Sequence, residues 1–419
     1  MDKSIKLSRE RIHYWAGLLF FFLLPFNLHF FPVIIGIFVI SWIIQENFID
    51  KFLSFFQNKR AVWFVILYFL FALSLIYSEN ISKSFTDLEK KLSLFFMPLI
   101  FATANKYLKR NFRFLLLAFL LGTSVNVLIS SANFLIEIFS STAAYQKFLS
   151  SPFWYGYKHL SIFNHSSYFA LFIAFSIGIL IYFYKAKPFN FSANFWTKVL
   201  IYLWVIFLSL VCIINSSRAG ILALFVFLIF SFFFLLKRFY IKVGAAIIMT
   251  GFLIYGLSTE RFENYSEVAR DLLSGKKLTQ HELLEKNADR LVLWRNSIEV
   301  IKSNFWIGTG NGDIKIELKK RYKEHKVYED LDKVLNPHNQ FLSVFVGIGI
   351  FGFAYFIFLF VKPFIKAWKE RDYLLFSFLI LIIIHFLVES MLNRLSGISF
   401  FSSFYSLLYI MQRNVYETE

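Results

Sequence analysis

The chain has 419 residues, of which 58% are hydrophobic and 17% are charged, and its formal net charge is +17. A soluble globule of this length could not bury so much apolar surface, so an ordinary soluble enzyme is excluded. The single cysteine, Cys212, excludes an intramolecular disulfide framework and a thiolate metal cluster. Because one bilayer-spanning helix needs about 20 apolar residues, the composition predicts an all-α polytopic integral membrane protein with about twelve transmembrane helices.

Uncharged stretches of spanning length follow one another through the first part of the chain. The stretch 12–45 is too long for one helix and contains Pro25 and Pro32, so we expect two spans joined by a tight turn. The stretch 92–105 is short and broken by Pro98, so a re-entrant segment is the alternative there. The other predicted spans in this part are 61–78, 114–136, 162–184, 199–217, 219–236 and 243–259.

A long loop separates these nine predicted spans from three more. The chain therefore divides into residues 1–258 with spans one to nine, the loop 259–337, and residues 338–419 with spans ten to twelve and the C-terminus. Because the loop is far longer than a connector between helices requires, we expect the function to lie in it and at the span ends beside it. The last three spans are predicted at 339–361, 373–388 and 395–411.

The loop itself has a helical pattern. Residues 289–303 predict an amphipathic helix whose N-cap is Asn287 or Asp289. A glycine-rich break at 308–313 separates this helix from a second, charged helix predicted over 314–326. The predicted apolar face of the first helix consists of Leu291, Trp294, Ile298 and Ile301.

The distribution of Lys and Arg predicts the orientation of the spans. Loops on the side of the N-terminus carry 22 of these residues, whereas the short segments on the other side carry seven. Since cytoplasmic loops are enriched in basic residues, both termini are predicted in the cytoplasm and the long loop outside. The N-terminal stretch has no cleavage pattern, so we expect an uncleaved first span. The net charge then favours contact with acidic membrane lipids, and nucleic acid is not an expected partner.

Two residues stand out as candidates for chemistry. Arg218 lies between two spans that are joined with almost no loop, and a cation at this depth typically marks a site for an anionic group. Snorkelling toward lipid phosphates is the alternative. His338 opens the tenth span from outside, where an imidazole could accept a proton from a hydroxyl group. A simple polar cap of that span is the alternative.

Other polar residues flank the predicted outer ends of spans. His165 opens the sixth span and could line an acceptor site or cap the helix. Glu389 and Arg394 follow the eleventh span, and Glu389 could orient Arg394 or a loop arginine. His385 precedes Glu389 by one turn, a pairing that a proton-coupled transporter would also use.

Two further patterns weigh against other enzyme classes. Asp330 and Asp332 form the D-x-D of metal-dependent sugar-nucleotide transferases, but they lie in a mixed-charge stretch that favours a solvated loop, so no metal site is predicted. The sequence contains no G-x-S-x-G elbow, H-E-x-x-H helix or Walker loop, which disfavours a hydrolase, a metalloprotease or an ATP-driven pump.

Three groups of residues occur in a definite order in the second half of the chain. They are Ser217-Arg218-Ala219-Gly220 at a span start, Arg290 and Trp294 before Trp306-Ile307-Gly308-Thr309-Gly310, and Pro337-His338-Asn339 before Gly347-Ile348-Gly349-Ile350-Phe351-Gly352. In this order, and with about twelve spans and one long outer loop, the chain resembles the bacterial O-antigen ligase and polymerase superfamily over residues 12–411. Ala219 is a departure, because the family more often has glycine directly after the arginine.

The resemblance implies a metal-independent glycosyltransferase without a cofactor and with a GT-C-like fold in the bacterial inner membrane. Its donor would be a glycan carried on undecaprenyl diphosphate, and its acceptor a hydroxyl on the periplasmic side, such as a lipid A core sugar. By the same resemblance, Arg218 and Arg290 hold the diphosphate and His338 is the general base. The remaining substrate-binding candidates are Arg295, Asn339, Trp294, His165, Glu389 and Arg394.

Three related functions and one of another class stay open at this point. Polymerisation of repeat units, or transfer to a Ser or Thr hydroxyl of a protein, would use the same donor and the same three residues. A lipid-linked oligosaccharide flippase is the alternative of another class. A transporter of that kind predicts charges in the middle of spans and pseudo-symmetric halves, and the sequence has neither.

Overall fold

A computed structural model describes most of the chain. The described residues are 3–45, 48–186, 195–215, 217–235, 251, 267–271, 273, 274, 276, 278–286, 288–327 and 336–411. Within these ranges every regular element is helical. The helices are α1 (Lys3–Leu23), α2 (Phe31–Gln45), α3 (Phe48–Gln57), α4 (Lys59–Leu73), α5 (Ile81–Lys90), α6 (Ser93–Ala102), α7 (Lys106–Arg110), α8 (Phe112–Phe139), α9 (Thr142–Ser150), α10 (Pro152–His159), α11 (Ser166–Ala186), α12 (Phe195–Ile214), α13 (Arg218–Leu235), α14 (Gln280–Glu285), α15 (Asp289–Ser303), α16 (Ile314–Glu324), α17 (Gln340–Lys369), α18 (Tyr373–Val388) and α19 (Leu395–Tyr405).

Several of these helices have the length and composition of membrane spans. Among the described residues, five qualify: α8, α12, α17, the segment Ser166–Lys185 of α11, and α4 with its 3-10 extension to Ile76. Helices are the natural solution in a bilayer, because they satisfy their backbone hydrogen bonds internally. The described part of the chain is therefore all-helical, and its apolar helices are those of a multi-pass membrane protein. The predicted ninth span, 243–259, lies outside the described residues apart from position 251.

The predicted split of the first apolar stretch is confirmed. Helix α1 ends at Leu23, a 3-10 turn from Leu24 to Phe26 contains Pro25, and α2 begins at Phe31. Asn27 ends the turn in the left-handed region at φ 47°. The two helices then run back along each other, so this part of the chain forms the predicted helical hairpin.

The segment predicted as the span 92–105 is shorter than expected. Helix α6 has 10 residues, contains Pro98 and is largely buried. At 1.5 Å per residue it is about 15 Å long, roughly half of what a bilayer core requires. The break at Lys91 and Leu92 separates it from α5. Crossing at this point therefore remains a prediction.

The long loop folds around an apolar core of its own. Helices α14, α15 and α16 pack together, and α15 also packs against α17. This core is formed by Val292, Leu293, Val300, Leu318 and Tyr322, with further side chains around them. The predicted helix 289–303 is confirmed as α15, and the helix predicted over 314–326 ends at Glu324.

The predicted apolar face of α15 is partly wrong. The side chain of Ile298 is 45% exposed, whereas polar Asn296 and Ser297 are buried. The helix has neighbours on two sides, the loop core and α17, so its buried surface does not follow one apolar stripe. The N-cap is Ala288, which makes no side-chain cap, instead of Asp289; Asn287 lies outside the described residues.

The glycine-rich segment docks into a kink of α17. Ile348 and Gly349 are non-helical there, and three backbone hydrogen bonds join the two segments: Ile350 N to Phe305 O at 2.9 Å, Thr309 N to Val346 O at 2.8 Å, and Gly310 N to Gly347 O at 3.0 Å. A Cβ on Gly349 would lie 2.2 Å from the Trp306 carbonyl oxygen. These glycines therefore allow two backbones to approach closely, and they fix the loop on the membrane helices.

We expect Gly349→Ala to destabilise the protein by about 2 kcal/mol or more, because alanine would meet both the Trp306 carbonyl and an unfavourable φ of 64°. Gly36→Ala is the matched control, since a Cβ there meets nothing within 4 Å. Thermal unfolding in detergent measures both effects. Equal melting temperatures for the two variants would contradict this account of the kink.

Candidate active site

A buried carboxylate organises the ends of several helices. Glu389 follows α18 directly, and the residue is 6% exposed. Its Oε1 accepts hydrogen bonds from Arg290 Nη2 at 3.2 Å and from Ser167 Oγ at 3.3 Å. Its Oε2 contacts His338 Nδ1 at 3.2 Å. One side chain thus joins residues from α11, α15 and the start of α17.

The positions of Arg290 and His338 are fixed by the backbone segments that carry them. Arg290 is the second residue of α15, and its position follows from the packing of that helix in the loop core. His338 has a φ of 45°, and its backbone N–H donates to Asn336 Oδ1 at 2.8 Å. Asn339 caps α17, accepting from Leu342 N at 3.1 Å. The helix start therefore fixes the direction in which the imidazole points.

Arg218 begins α13, and its side chain lies outside the described part of the structure. The residue before it, Ser217, is described and buried. Ser217 Oγ donates to Ser167 Oγ at 3.3 Å, and Ser167 in turn donates to Glu389. The start of α13 is thereby connected to Glu389 through two hydroxyl groups.

Close packing supports this connection. A Cβ on Gly220 would lie 2.2 Å from the Ala170 Cβ, so α13 and α11 are in tight contact near their first turns. Asn215 Nδ2 also donates to the Ser166 carbonyl at 2.8 Å. Sequence analysis named Ser217 only as part of the 217–220 group and did not single out Ser167. An isolated hydroxyl carries no pattern, and the one hint for Ser167 is that it lies two residues after the candidate His165.

His165 lies near Glu389, and Trp294 packs against the core of the loop. His165 Nδ1 accepts from the backbone N–H of Ser167 at 3.4 Å, and its ring is perpendicular to that of Tyr157 at 6.3 Å. Trp294 is one turn beyond Arg290 on α15 and half-buried. Its indole Nε1 is buried and has no hydrogen-bond partner among the described residues.

Arg295 and Arg394 stand apart from Glu389. Arg295 is exposed, and its Nη1 donates to the Leu278 carbonyl at 2.9 Å. Five residues along a helix correspond to about 140° of rotation, so Arg295 and Arg290 leave α15 on different sides. Arg394 is exposed at the N-cap of α19. The loop arginine that contacts Glu389 is thus Arg290, and Arg394 does not pair with this carboxylate in the described structure.

The electrostatics of the cluster keep Glu389 ionised. Burial alone would raise the pKa of its carboxyl group, but the hydrogen bond from His338 and the attraction of Arg290 outweigh burial and lower this pKa. A carboxylate accepts hydrogen bonds, so His338 Nδ1 carries the proton. The lone pair of the neutral ring is then on Nε2, the arrangement that a general base requires.

The pH dependence of stability tests this ionisation. Because the pKa of Glu389 is lowered in the folded state, its ionised form stabilises the fold at neutral pH, and this contribution is lost as the pH falls through the lowered pKa. We expect the melting temperature of the wild type to exceed that of Glu389→Gln at pH 7, and the gap to close below about pH 4. Glu317→Gln, in a more exposed pair with Lys320, is the control and should show no gap. A difference in melting temperature that is the same at pH 7 and below about pH 4 would contradict the ionisation of Glu389.

The middle of the chain matches a known protein family. Residues 203–357 match the family model described as O-Antigen ligase. The matched segment runs from α12 into α17 and includes Arg218, Arg290 and His338, whereas Glu389 lies beyond it. The match supports the O-antigen ligase and polymerase superfamily for this segment, and members of that family are enzymes. None of the curated proteins matches the chain.

Proposed function

We propose that the chain is an O-antigen-ligase-like glycosyltransferase. It transfers a glycan from undecaprenyl diphosphate to an acceptor hydroxyl, such as one on the lipid A core, at the outer face of the cytoplasmic membrane. The observation that carries the proposal is the pairing of His338 and Arg290 with one buried carboxylate. This arrangement places a proton acceptor beside a guanidinium that can hold a diphosphate.

The residues supply the two parts of the reaction. His338 Nε2 takes the proton from the acceptor hydroxyl while the hydroxyl oxygen forms a bond to the anomeric carbon. The bond from that carbon to the phosphate oxygen breaks, and undecaprenyl diphosphate leaves with the electron pair. The side chains of His338 and Arg290 are 28% and 25% exposed, so both can reach a substrate.

Guanidinium groups stabilise the charge that grows on the leaving group. Arg290 uses Nη2 for Glu389, and a guanidinium has five N–H donors in all, so others can face a diphosphate. Arg218 is assigned to the same leaving group, because its backbone starts a helix that is linked to Glu389 through Ser217 and Ser167. Glu389 is a positioning residue, since it acts through its two partners.

The topology belongs to the same proposal: about twelve spans, both termini in the cytoplasm, and the loop 259–337 in the periplasm of a bacterial inner membrane. The proposed topology is supported by the helix ends that form the site, all of which are predicted to face outward. These are the starts of α11, α13 and α17 and the end of α18. In this proposal the exposed rings of Trp306 and Phe351, stacked with centroids 6.1 Å apart, belong to the aromatic belt at the outer membrane interface.

Transfer should not need a metal ion, because guanidinium groups take the role of a Lewis acid at the diphosphate. We expect full activity after prolonged treatment with EDTA, measured as glycan transfer by purified protein. The D-x-D residues Asp330 and Asp332 lie outside the described structure. Loss of activity in EDTA and its recovery with Mg²⁺ or Mn²⁺ would instead favour a metal site at these two aspartates.

Deletion of the gene in its native host tests the reaction. The proposal predicts accumulation of full-length polymer on undecaprenyl diphosphate together with unmodified lipid A core. Single repeat units on the lipid would indicate a polymerase, and an unglycosylated protein would indicate protein-directed transfer. Accumulation of the intermediate on the cytoplasmic leaflet would contradict the proposal and favour a flippase. His385, which the transporter alternative needs, contacts the Leu381 carbonyl at 2.8 Å in its own helix.

A further inference from the structure

A cluster of cations lies beside the candidate active site. It consists of Lys83, Lys90, Lys91, Lys315 and Arg394, which lie within electrostatic range of one another and which we call the basic cluster. Asp87 stands among the lysines of α5, with its Oδ1 3.3 Å from Lys83 Nζ and 2.9 Å from Lys90 Nζ. Lys91 Nζ contacts the backbone carbonyl of Asp87 at 3.4 Å. Lys91 is 1% exposed, and burial lowers its pKa to about 8.

Lys315 joins the basic cluster because the start of α16 packs against the start of α5. The Asp313 carboxylate accepts from Ser78 Oγ at 2.6 Å and from the backbone N–H groups of Glu79 and Asn80 at 2.8 and 3.0 Å. Helix α5 follows directly, so the first turn of α16 rests on the first turn of α5. Burial, and then repulsion by Lys83 with a contribution from Lys90 and Arg394, lowers the pKa of Lys315.

Arg394 lies within electrostatic range of Lys315 in the basic cluster and of His165 beside the candidate active site. The backbone N–H of Leu392 donates to Gln340 Oε1 at 2.7 Å, and Gln340 follows His338 by two residues. On the other side, Ser399 of α19 and Ser93 of α6 share a hydrogen bond of 3.1 Å. The segment 392–399, which contains Arg394, therefore contacts both the start of α17 and the start of α6, and Lys90 and Lys91 lie just before α6.

The basic cluster is an exception to the distribution of Lys and Arg along the chain, which is otherwise biased toward the predicted cytoplasmic side. The segments predicted to lie outside carry seven basic residues: Lys83, Lys90, Lys91, Lys147, Lys158, Arg218 and Arg394. Four of the seven belong to the basic cluster, although outward-facing segments are generally poor in such residues. In the described structure, Asp87 is the carboxylate that pairs with these lysines. Like charges this close repel one another unless an anion lies between them.

We propose that Lys83, Lys90, Lys315 and Arg394 bind anionic groups, phosphate or carboxylate, on the acceptor, so that the acceptor of this enzyme is an acidic saccharide. The inference rests on the proposed function. The donor diphosphate is assigned to Arg218 and Arg290. Helix α13, which carries Arg218, packs against α11, α12 and α18. The basic cluster lies on other parts of the chain, and Arg394 is its member nearest to the candidate active site.

The test uses full-length protein in nanodiscs and two forms of one probe. The probe is lipid A core oligosaccharide, either native or dephosphorylated and carboxyl-reduced. We expect the wild type to bind the native form roughly tenfold more tightly, since several charge pairs of this exposed kind are lost together. The triple variant Lys83→Gln, Lys90→Gln, Lys315→Gln should remove this preference. In transfer assays it should raise the acceptor KM by a similar factor and leave kcat and the donor KM unchanged.

A second triple variant serves as the matched control. Lys147→Gln, Lys302→Gln and Lys323→Gln remove the same charge from exposed positions outside the cluster and should leave binding and transfer unchanged. Equal binding of both probe forms by the wild type, or a rise confined to the donor KM, would overturn the inference. Preferred binding of the native probe without any transfer by the wild type would contradict the proposed function alone.

Discussion

The His338→Ala variant is expected to lose about 100- to 10,000-fold in kcat, the usual contribution of a general base. The loss follows because Glu389 holds Nδ1 and leaves Nε2 to receive the proton of the acceptor hydroxyl. The measurement is glycan transfer by purified protein with a lipid-linked donor. Membrane insertion should stay close to that of the wild type, and the lost hydrogen bond to the buried Glu389 should lower the melting temperature only modestly, which is measured in parallel.

The chain offers a matched control for this prediction. His325 also pairs with a carboxylate, since its Nε2 lies 2.7 Å from Glu299 Oε2, and its side chain has a similar exposure. His325→Ala removes an equivalent pair from the loop and should leave transfer unchanged. If His338→Ala keeps more than about a tenth of the activity, the general base must be another residue.

Arg290→Ala should lower kcat about 100- to 1,000-fold, the usual effect of removing one donor that stabilises developing negative charge. Arg290→Lys should recover little, because an ammonium cannot bridge Glu389 and a diphosphate as a planar guanidinium does. Arg321→Ala is the control, since that arginine pairs with Glu324 on the far helix α16. Arg218→Ala is expected to resemble Arg290→Ala.

A double variant distinguishes two roles of Arg290. If Arg290 only orients Glu389, then Arg290→Ala adds nothing to Glu389→Gln, and the double variant resembles the more damaged single variant. If Arg290 also holds the diphosphate, the double variant is less active than either single variant. The proposed function predicts the second result, and the first would leave Arg218 as the candidate diphosphate contact.

Much of the helical framework could be predicted from hydropathy and breakers. The helix predicted at 373–388 is α18 with the same bounds, and Pro25 marks the turn between α1 and α2 as expected. These features depend on local sequence, where apolar runs and proline act directly. The helix 289–303 was predicted with its bounds, but its buried face was not, because α15 has neighbours on two sides.

The arrangement of the site could be predicted only in part. Arg290, His338 and Glu389 were candidates because charged residues near membrane helices are costly and tend to be functional. That one carboxylate joins the other two depends on contacts across 51 and 99 residues of sequence, which no local pattern encodes. The docking of the glycine-rich segment into the kink at Gly349 is of the same kind.

The most direct test is a reconstituted reaction with purified protein, lipid-linked glycan donor and lipid A core acceptor in the presence of EDTA. Ligated product and released undecaprenyl diphosphate are quantified together over time. The account predicts equal amounts of both from the wild type and neither from His338→Ala. Absence of product from the wild type, or equal product from the two proteins, would contradict it.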